Sequence, residues 1–98
     1  MVSLMEDKIR ALIVYDISDN KRRNKCMKLL NSYGYRIQYS VYEVVLSLNK
    51  YNKMKEAVGK LEHEEDSIVV YKLNSLCTKT SYGKDIYDKM DMSNDIFL

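Results

Sequence analysis

The sequence predicts an α+β fold whose elements run in the order β-α-β-β-α-β. Three observations carry this. Apolar and β-branched runs occur at Arg10–Asp16, Tyr35–Leu48 and Ile68–Leu73. The two stretches between them place apolar residues at helical spacing. The middle run is too long for one typical strand, so it divides into two. The resulting order is the split-βαβ, or ferredoxin-like, arrangement.

Each element has its own justification. Arg10–Asp16 (R-A-L-I-V-Y-D) reads as a central, largely buried strand. Ser18 and Asp19 are natural N-caps for the helix that follows. That helix, Asn20–Tyr33, places Cys26, Met27, Leu30 and Tyr33 on one side and its lysines and arginines on the others, and Gly34 is expected as its C′ residue. The two strands within Tyr35–Leu48 are expected to bend near Tyr39–Tyr42, although no Gly or Pro marks the turn. Asn49 is expected to cap a second helix, Lys50–His63, whose inner face is Tyr51, Met54, Val58 and Leu61. Ile68–Leu73 closes the pattern as another buried strand.

Ninety-eight residues fit one domain, with a core over about residues 9–74 and a polar tail over 75–98. A chain this short buries only about 60–65% of the surface its unfolded form exposes, so burial against a partner subunit would help it. The longest apolar run, Ala11–Tyr15, is far short of the roughly 20 residues that span a bilayer. The start carries Glu6 and Asp7 and lacks a secretory pattern. Cys26 and Cys77 are read as reduced, buried thiols, which points to the cytoplasm. The net charge of +2 conceals an asymmetry. Ile17–Lys60 holds ten basic residues against three acids, a net of +7, whereas Leu61–Leu98 carries −4. A basic half suits a polyanionic partner, and it also suits two solvated lysine-rich helices.

Asp16 is the most informative single residue. Strand alternation puts it on the sheet face of Leu12 and Val14, and a ferredoxin-like sheet leaves one of its faces uncovered. There it is available to a partner or a metal; otherwise it caps the following turn with Ser18. One carboxylate is a poor magnesium site, but a two-fold dimer would bring two together. Lys21, Arg22 and Arg23 fall in the first turn of the first helix, where the macrodipole disfavours cations. Together with the free N–H groups of that turn they would hold an anion, or they are simply solvated. Tyr35, Arg36, Tyr39 and Tyr42 interleave aromatic and basic side chains, as a base-stacking platform would and as an ordinary strand also does. A single histidine, His63, and three glycines leave no basis for a zinc site, Cys-His catalysis, a P-loop or a Rossmann pattern.

These residues resemble a known family. Val14-Tyr15-Asp16-Ile17-Ser18-Asp19, Lys21-Arg22-Arg23, Leu29-Leu30, Tyr33-Gly34 and Arg36-Ile37-Gln38-Tyr39-Ser40-Val41-Tyr42-Glu43 are similar to the motifs of the CRISPR-associated protein two family, with the match running from about Arg10 to Leu73. The resemblance implies a ferredoxin-like two-fold homodimer with facing sheets; for such a dimer we expect an extra C-terminal strand or tail exchanged with, or packed on, the partner. It implies that Asp16 pairs across the axis around Mg2+. It implies functional positions at Tyr15, Asp16, Arg22 or Arg23, Arg36 and Tyr42; with the helix-start cations added, the expected nucleic-acid contacts are Tyr15, Lys21, Arg22, Arg23, Arg36 and Tyr42. At Tyr42 the family more often has phenylalanine, and the tail beyond Lys84 matches no family pattern. Members are described as metal-dependent nucleases on RNA or double-stranded DNA, or as the central dimer between copies of the CRISPR integrase (CRISPR-associated protein one).

Three functions are thereby expected in descending order. The first is a nucleic-acid-binding dimer that bridges the integrase during spacer acquisition. The second is a Mg-dependent endonuclease on single-stranded RNA or double-stranded DNA, with Asp16 as its catalytic and metal-binding residue. The third is a small-ligand regulatory domain, which leaves the helix-start cations unexplained.

Overall fold

The structure, a computed structural model, describes residues 8–83. Its elements are β1 (Ile9–Asp16), α1 (Asn20–Asn31), β2 (Gly34–Gln38), β3 (Val41–Leu46), α2 (Leu48–Gly59) and β4 (Ser67–Leu73). The strands form one antiparallel sheet in the order β2-β3-β1-β4, so the first strand of the chain is central. β1 pairs with β3 on one side, Leu12 opposite Glu43, and with β4 on the other, Leu12 opposite Tyr71. The architecture is the expected α+β, ferredoxin-like one.

Alternation along the strands sorts the side chains by face. Ala11, Ile13 and Tyr15 of β1 and Tyr42, Val44 and Leu46 of β3 are buried, packed with Cys26 and Leu30 of α1 and Tyr51, Met54 and Val58 of α2. The opposite face carries Arg10, Leu12, Val14 and Asp16 beside Glu43, Val45, Val69 and Tyr71. Tyr71, 54% exposed, and the exposed Val45 and Val69 leave that face uncovered. Within it Arg10 Nε donates to the largely buried Glu43 Oε2 at 2.9 Å. This bond satisfies a carboxylate that would otherwise be costly to bury.

Local details differ from the sequence reading. α1 ends at Asn31, where the backbone N–H of Ser32 closes the helix on the Leu29 and Leu30 carbonyls. Gly34 is therefore no left-handed cap. It opens β2, and a positive φ occurs only at Gly83 among the described residues. Its requirement is close approach: a methyl on Gly34 would overlap the Glu43 carbonyl oxygen and lie 2.7 Å from Val44 Cγ1. Ser47, rather than Asn49, caps α2 by accepting from the Lys50 N–H. That helix stops at Gly59, before His63. Cys26 is buried as expected but Cys77 is exposed. Burial pushes the Cys26 thiol up to about 11, with the Asp66 charge adding to the effect, which keeps the thiol neutral. No strand follows β4 among the described residues, and the expected tail beyond residue 83 lies outside them.

Candidate functional site

The site forms where β1 ends. The Tyr15 N–H donates to the Ser40 carbonyl at 3.0 Å, tying the strand end to the β2–β3 turn. The buried Tyr15 hydroxyl donates to the Tyr39 carbonyl at 3.1 Å, a second tie on the same turn. Burial raises the Tyr15 pKa and nearby Cys26 adds to this, while Arg36, hydrogen-bonded to it, partly opposes the shift. One residue on, Asp16 pairs through its backbone with Ser67 of β4, while its exposed side chain has no hydrogen bond or ion pair among the described residues. It lines an open cleft of about 530 Å³ together with Arg23, Asn24, Arg36, Tyr39 and Ser40.

Two guanidinium groups thus share a concavity with a free carboxylate. Arg23 is held by its own loop: Nη1 donates to the Ile17 and Ser18 carbonyls at 3.1 and 3.2 Å, and Nη2 to Asn20 Oδ1. Asp19 caps α1, its Oδ2 accepting from the Arg22 N–H at 2.9 Å. The arrangement suits a phosphate on the guanidiniums beside an oxygen ligand for a hard cation. One chain does not complete such a cation site. Among the described residues no three His, Cys, Asp or Glu side chains gather as a ligand set, and magnesium demands more than a single carboxylate.

The other expected site residues are placed differently. Lys21 is exposed on α1. Tyr42 is only 1% exposed, its ring centroid 6.3 Å from that of Tyr15 and its hydroxyl donating to Asn31 Oδ1 at 2.6 Å. Tyr42 and Tyr15 therefore buttress the site from the core side and offer no ring to a base, because strand alternation turns both toward the helices. Arg22 is engaged as well. Its Nε and Nη2 reach Asp66 Oδ2 and Oδ1 at 2.7 and 3.2 Å, and Nη2 lies 3.5 Å from Glu65 Oε1. Sequence spacing gave no sign of this pair because the partners are far apart in the chain. Tyr39, 81% exposed at the cleft mouth, was visible in sequence only as one of several interleaved tyrosines.

The Arg22–Asp66 pair gives a pH-dependent contribution. Hydrogen bonds from Arg22 hold the Asp66 carboxyl below its ordinary value of 3.8; burial opposes this, and the Arg22 charge and His63 reinforce it. A carboxyl lowered in the folded state stabilises above its unfolded pKa and loses that contribution as the pH falls through the folded one. Arg22→Ala should accordingly lower the melting temperature near neutrality. The gap from wild type should close as thermal melts are taken from about pH 5 toward about pH 2. A gap that is constant with pH would contradict it.

Known proteins resemble this chain. The family model described as CRISPR associated protein Cas2 matches residues 9–81. A CRISPR-associated endoribonuclease Cas2 from Mycobacterium tuberculosis (strain CDC 1551 / Oshkosh) is 35% identical over 77 residues, covering 79% of this chain and 68% of the relative. A second relative, CRISPR-associated endoribonuclease Cas2 3 from Synechocystis sp., is 45% identical over 64 residues, covering 64% of this chain and 70% of its own length. Among solved structures, a crystal structure of cas2 superposes with a TM-score of 0.69 at 26% identity, covering 81% of this chain and 91% of the other. A chain from a partial Cas6-RT-Cas1--Cas2 complex superposes with a TM-score of 0.58 at 28% identity, covering 68% and 80%. The family match spans both ends of the sheet and every residue lining the cleft, and on it the chain belongs to the CRISPR associated protein Cas2 family.

Proposed function

We propose that two copies of this chain form a homodimer that binds nucleic acid in CRISPR adaptation and bridges the CRISPR integrase during spacer acquisition, in the cytoplasm. The observation that carries the dimer is the uncovered sheet face, where Leu12, Val14, Val69 and Tyr71 make an apolar stripe on a small domain. The integrase as partner is supported by the similar chain in the Cas6-RT-Cas1--Cas2 complex. No helix among the described residues is long and apolar enough to cross a membrane. Within the described part of the tail, residues 78–83 would add a strand to the partner's sheet edge. Light scattering tests the first claim: a particle of about 12 kDa at micromolar concentration removes the dimer. Reconstituted spacer integration with and without this chain tests the second, and unchanged integration by the integrase alone removes the bridge.

Nucleic-acid binding is carried by phosphate contacts and falls steeply with salt. Arg36, which lines the cleft, and Arg22, which is paired with Asp66, should differ here. Arg36→Ala is expected to flatten the plot of log affinity against log salt by about one unit per chain, and Arg22→Ala to leave it unchanged. Fluorescence anisotropy across a salt series measures both, and equal slopes for the two variants would refute the assignment.

A second reading, a Mg-dependent endonuclease on single-stranded RNA or double-stranded DNA, is favoured by one feature. Asp16 is an unpartnered carboxylate sharing a cleft with Arg23 and Arg36. Two relatives named endoribonucleases point the same way. Asp16 from each subunit would supply the pair of carboxylates that one chain lacks, and Arg23 and Arg36 would hold the substrate phosphate. Magnesium bound there would supply an activated water. Cleavage that proceeds equally with magnesium and with a chelator removes this reading.

A further inference from the structure

We infer that Tyr39 is the base-stacking residue of the Asp16 cleft, and that the cleft takes one unpaired nucleotide, its phosphate on Arg23 and Arg36 and its base on the Tyr39 ring. The inference rests on the nucleic-acid reading above and adds a substrate form and a specificity residue to it.

Tyr39 occupies the two-residue turn between β2 and β3, 81% exposed, and is the one aromatic among the described residues that line this cleft. Its backbone is nevertheless fixed. The Tyr15 hydroxyl donates to the Tyr39 carbonyl at 3.1 Å, and the Tyr15 N–H to the Ser40 carbonyl at 3.0 Å. Tyr15 is itself buried at 2% exposure, so the corner that presents the ring is anchored in the core. A rigid corner carrying a tyrosine, with two side-chain torsions to order, loses little entropy when a ring stacks on it.

The neighbours of that ring specify what stacks there. Arg23 and Arg36 line the same cleft, and Arg23 is held by the Ile17 and Ser18 carbonyls. A fixed guanidinium suits an anion more than an apolar ligand. An aromatic face beside paired cations is the chemistry of a nucleotide, base on one and phosphate on the other. The cleft, about 530 Å³, falls within the range of small-ligand sites and is too small to seat a duplex. A base inside a duplex already stacks on both sides and reaches Tyr39 only after being flipped out. Single strands and frayed ends are therefore the preferred occupants.

The test is binding, measured by anisotropy in the presence of a chelator so that cleavage plays no part. The probes are a mixed-sequence single-stranded RNA of about twelve nucleotides and a blunt duplex of the same length. Tyr39→Ala and Tyr39→Leu are expected to weaken single-strand binding about tenfold, and Tyr39→Phe to stay within about twofold of wild type. Duplex binding should stay within about twofold for all three. Leucine matches the bulk of the ring without its π face, so a Tyr39→Leu variant that binds like wild type overturns stacking. Equal losses on single strand and duplex overturn the preference for unpaired nucleotides, and so does a wild type that binds no single strand. The wider readings fail separately: a wild type that shows no magnesium-dependent cleavage, with the Tyr39 effect intact, removes the nuclease and leaves this site standing.

Discussion

Replacing Gly34 by alanine is expected to lower stability by about 2–3 kcal/mol, near the upper end of what an overpacked position costs. Gly34 faces Val44 across the β2–β3 ladder. The added methyl would overlap the Glu43 carbonyl oxygen and crowd Val44 Cγ1, and neither can retreat. Glu43 is a buried member of β3, held by Arg10, and Val44 is fully buried in the core. Relief therefore requires β2 to move off the sheet. Domains of this size are stable by only about 5–15 kcal/mol, so the loss is a large fraction of the total. It should lower the melting temperature by roughly 10–20 °C. Gly59→Ala is the matched control, because a methyl there meets nothing within 4 Å and Gly59 closes α2. Circular-dichroism melts that show the two variants alike would refute the packing argument.

Asp16→Asn is expected to abolish magnesium-dependent cleavage while leaving fold and nucleic-acid binding close to wild type. The side chain is exposed and contributes nothing to the core, so its replacement by an amide of the same shape disturbs no packing. What changes is charge. A hard divalent ion held by two carboxylates across a two-fold axis loses both at once, because each subunit carries the same substitution. In the metal-free dimer the substitution removes a like-charge pair, so the variant should melt at the wild-type temperature or above it. Addition of magnesium should then raise the melting temperature of wild type and not of Asp16→Asn. Melts with and without the metal, beside a cleavage assay, read both effects. Cleavage by the variant at the wild-type rate would show that Asp16 does not hold the metal.

The sequence made the element order legible because its signals are local. Alternation in Arg10–Asp16 and helical spacing through Cys26 and Leu30 each need only neighbouring residues. That Asp16 shares a face with Leu12 and Val14 followed from the same alternation; that this face is the uncovered one follows from the structure, where Ala11, Ile13 and Tyr15 turn inward. Alternation applied equally to Tyr15 and Tyr42 would have placed them in the core, but the interleaved cations obscured it. What remained hidden depends on residues distant in the chain. Arg22 is paired with Asp66, 44 positions away. Gly34 looked like a helix cap because a glycine after a helix usually is one; the strand beside it, which sets its real requirement, is invisible until the sheet is assembled.

The central place of β1 has a consequence for synthesis. Among the described strands it is made before the others, yet its last partner is β4, where Ser67 meets Asp16 about 50 residues later. At the ~5–20 residues per second of translation, the strand waits roughly 3–10 s with one or both edges open. Its residues Ala11–Tyr15 are all apolar, the composition most prone to pair with a strand of another nascent chain. Any truncation before Ser67 would make that exposure permanent. Fragments of this protein should therefore accumulate as aggregates rather than as soluble half-domains, and yield of the intact chain should rise when initiation is made rare enough to separate neighbouring ribosomes.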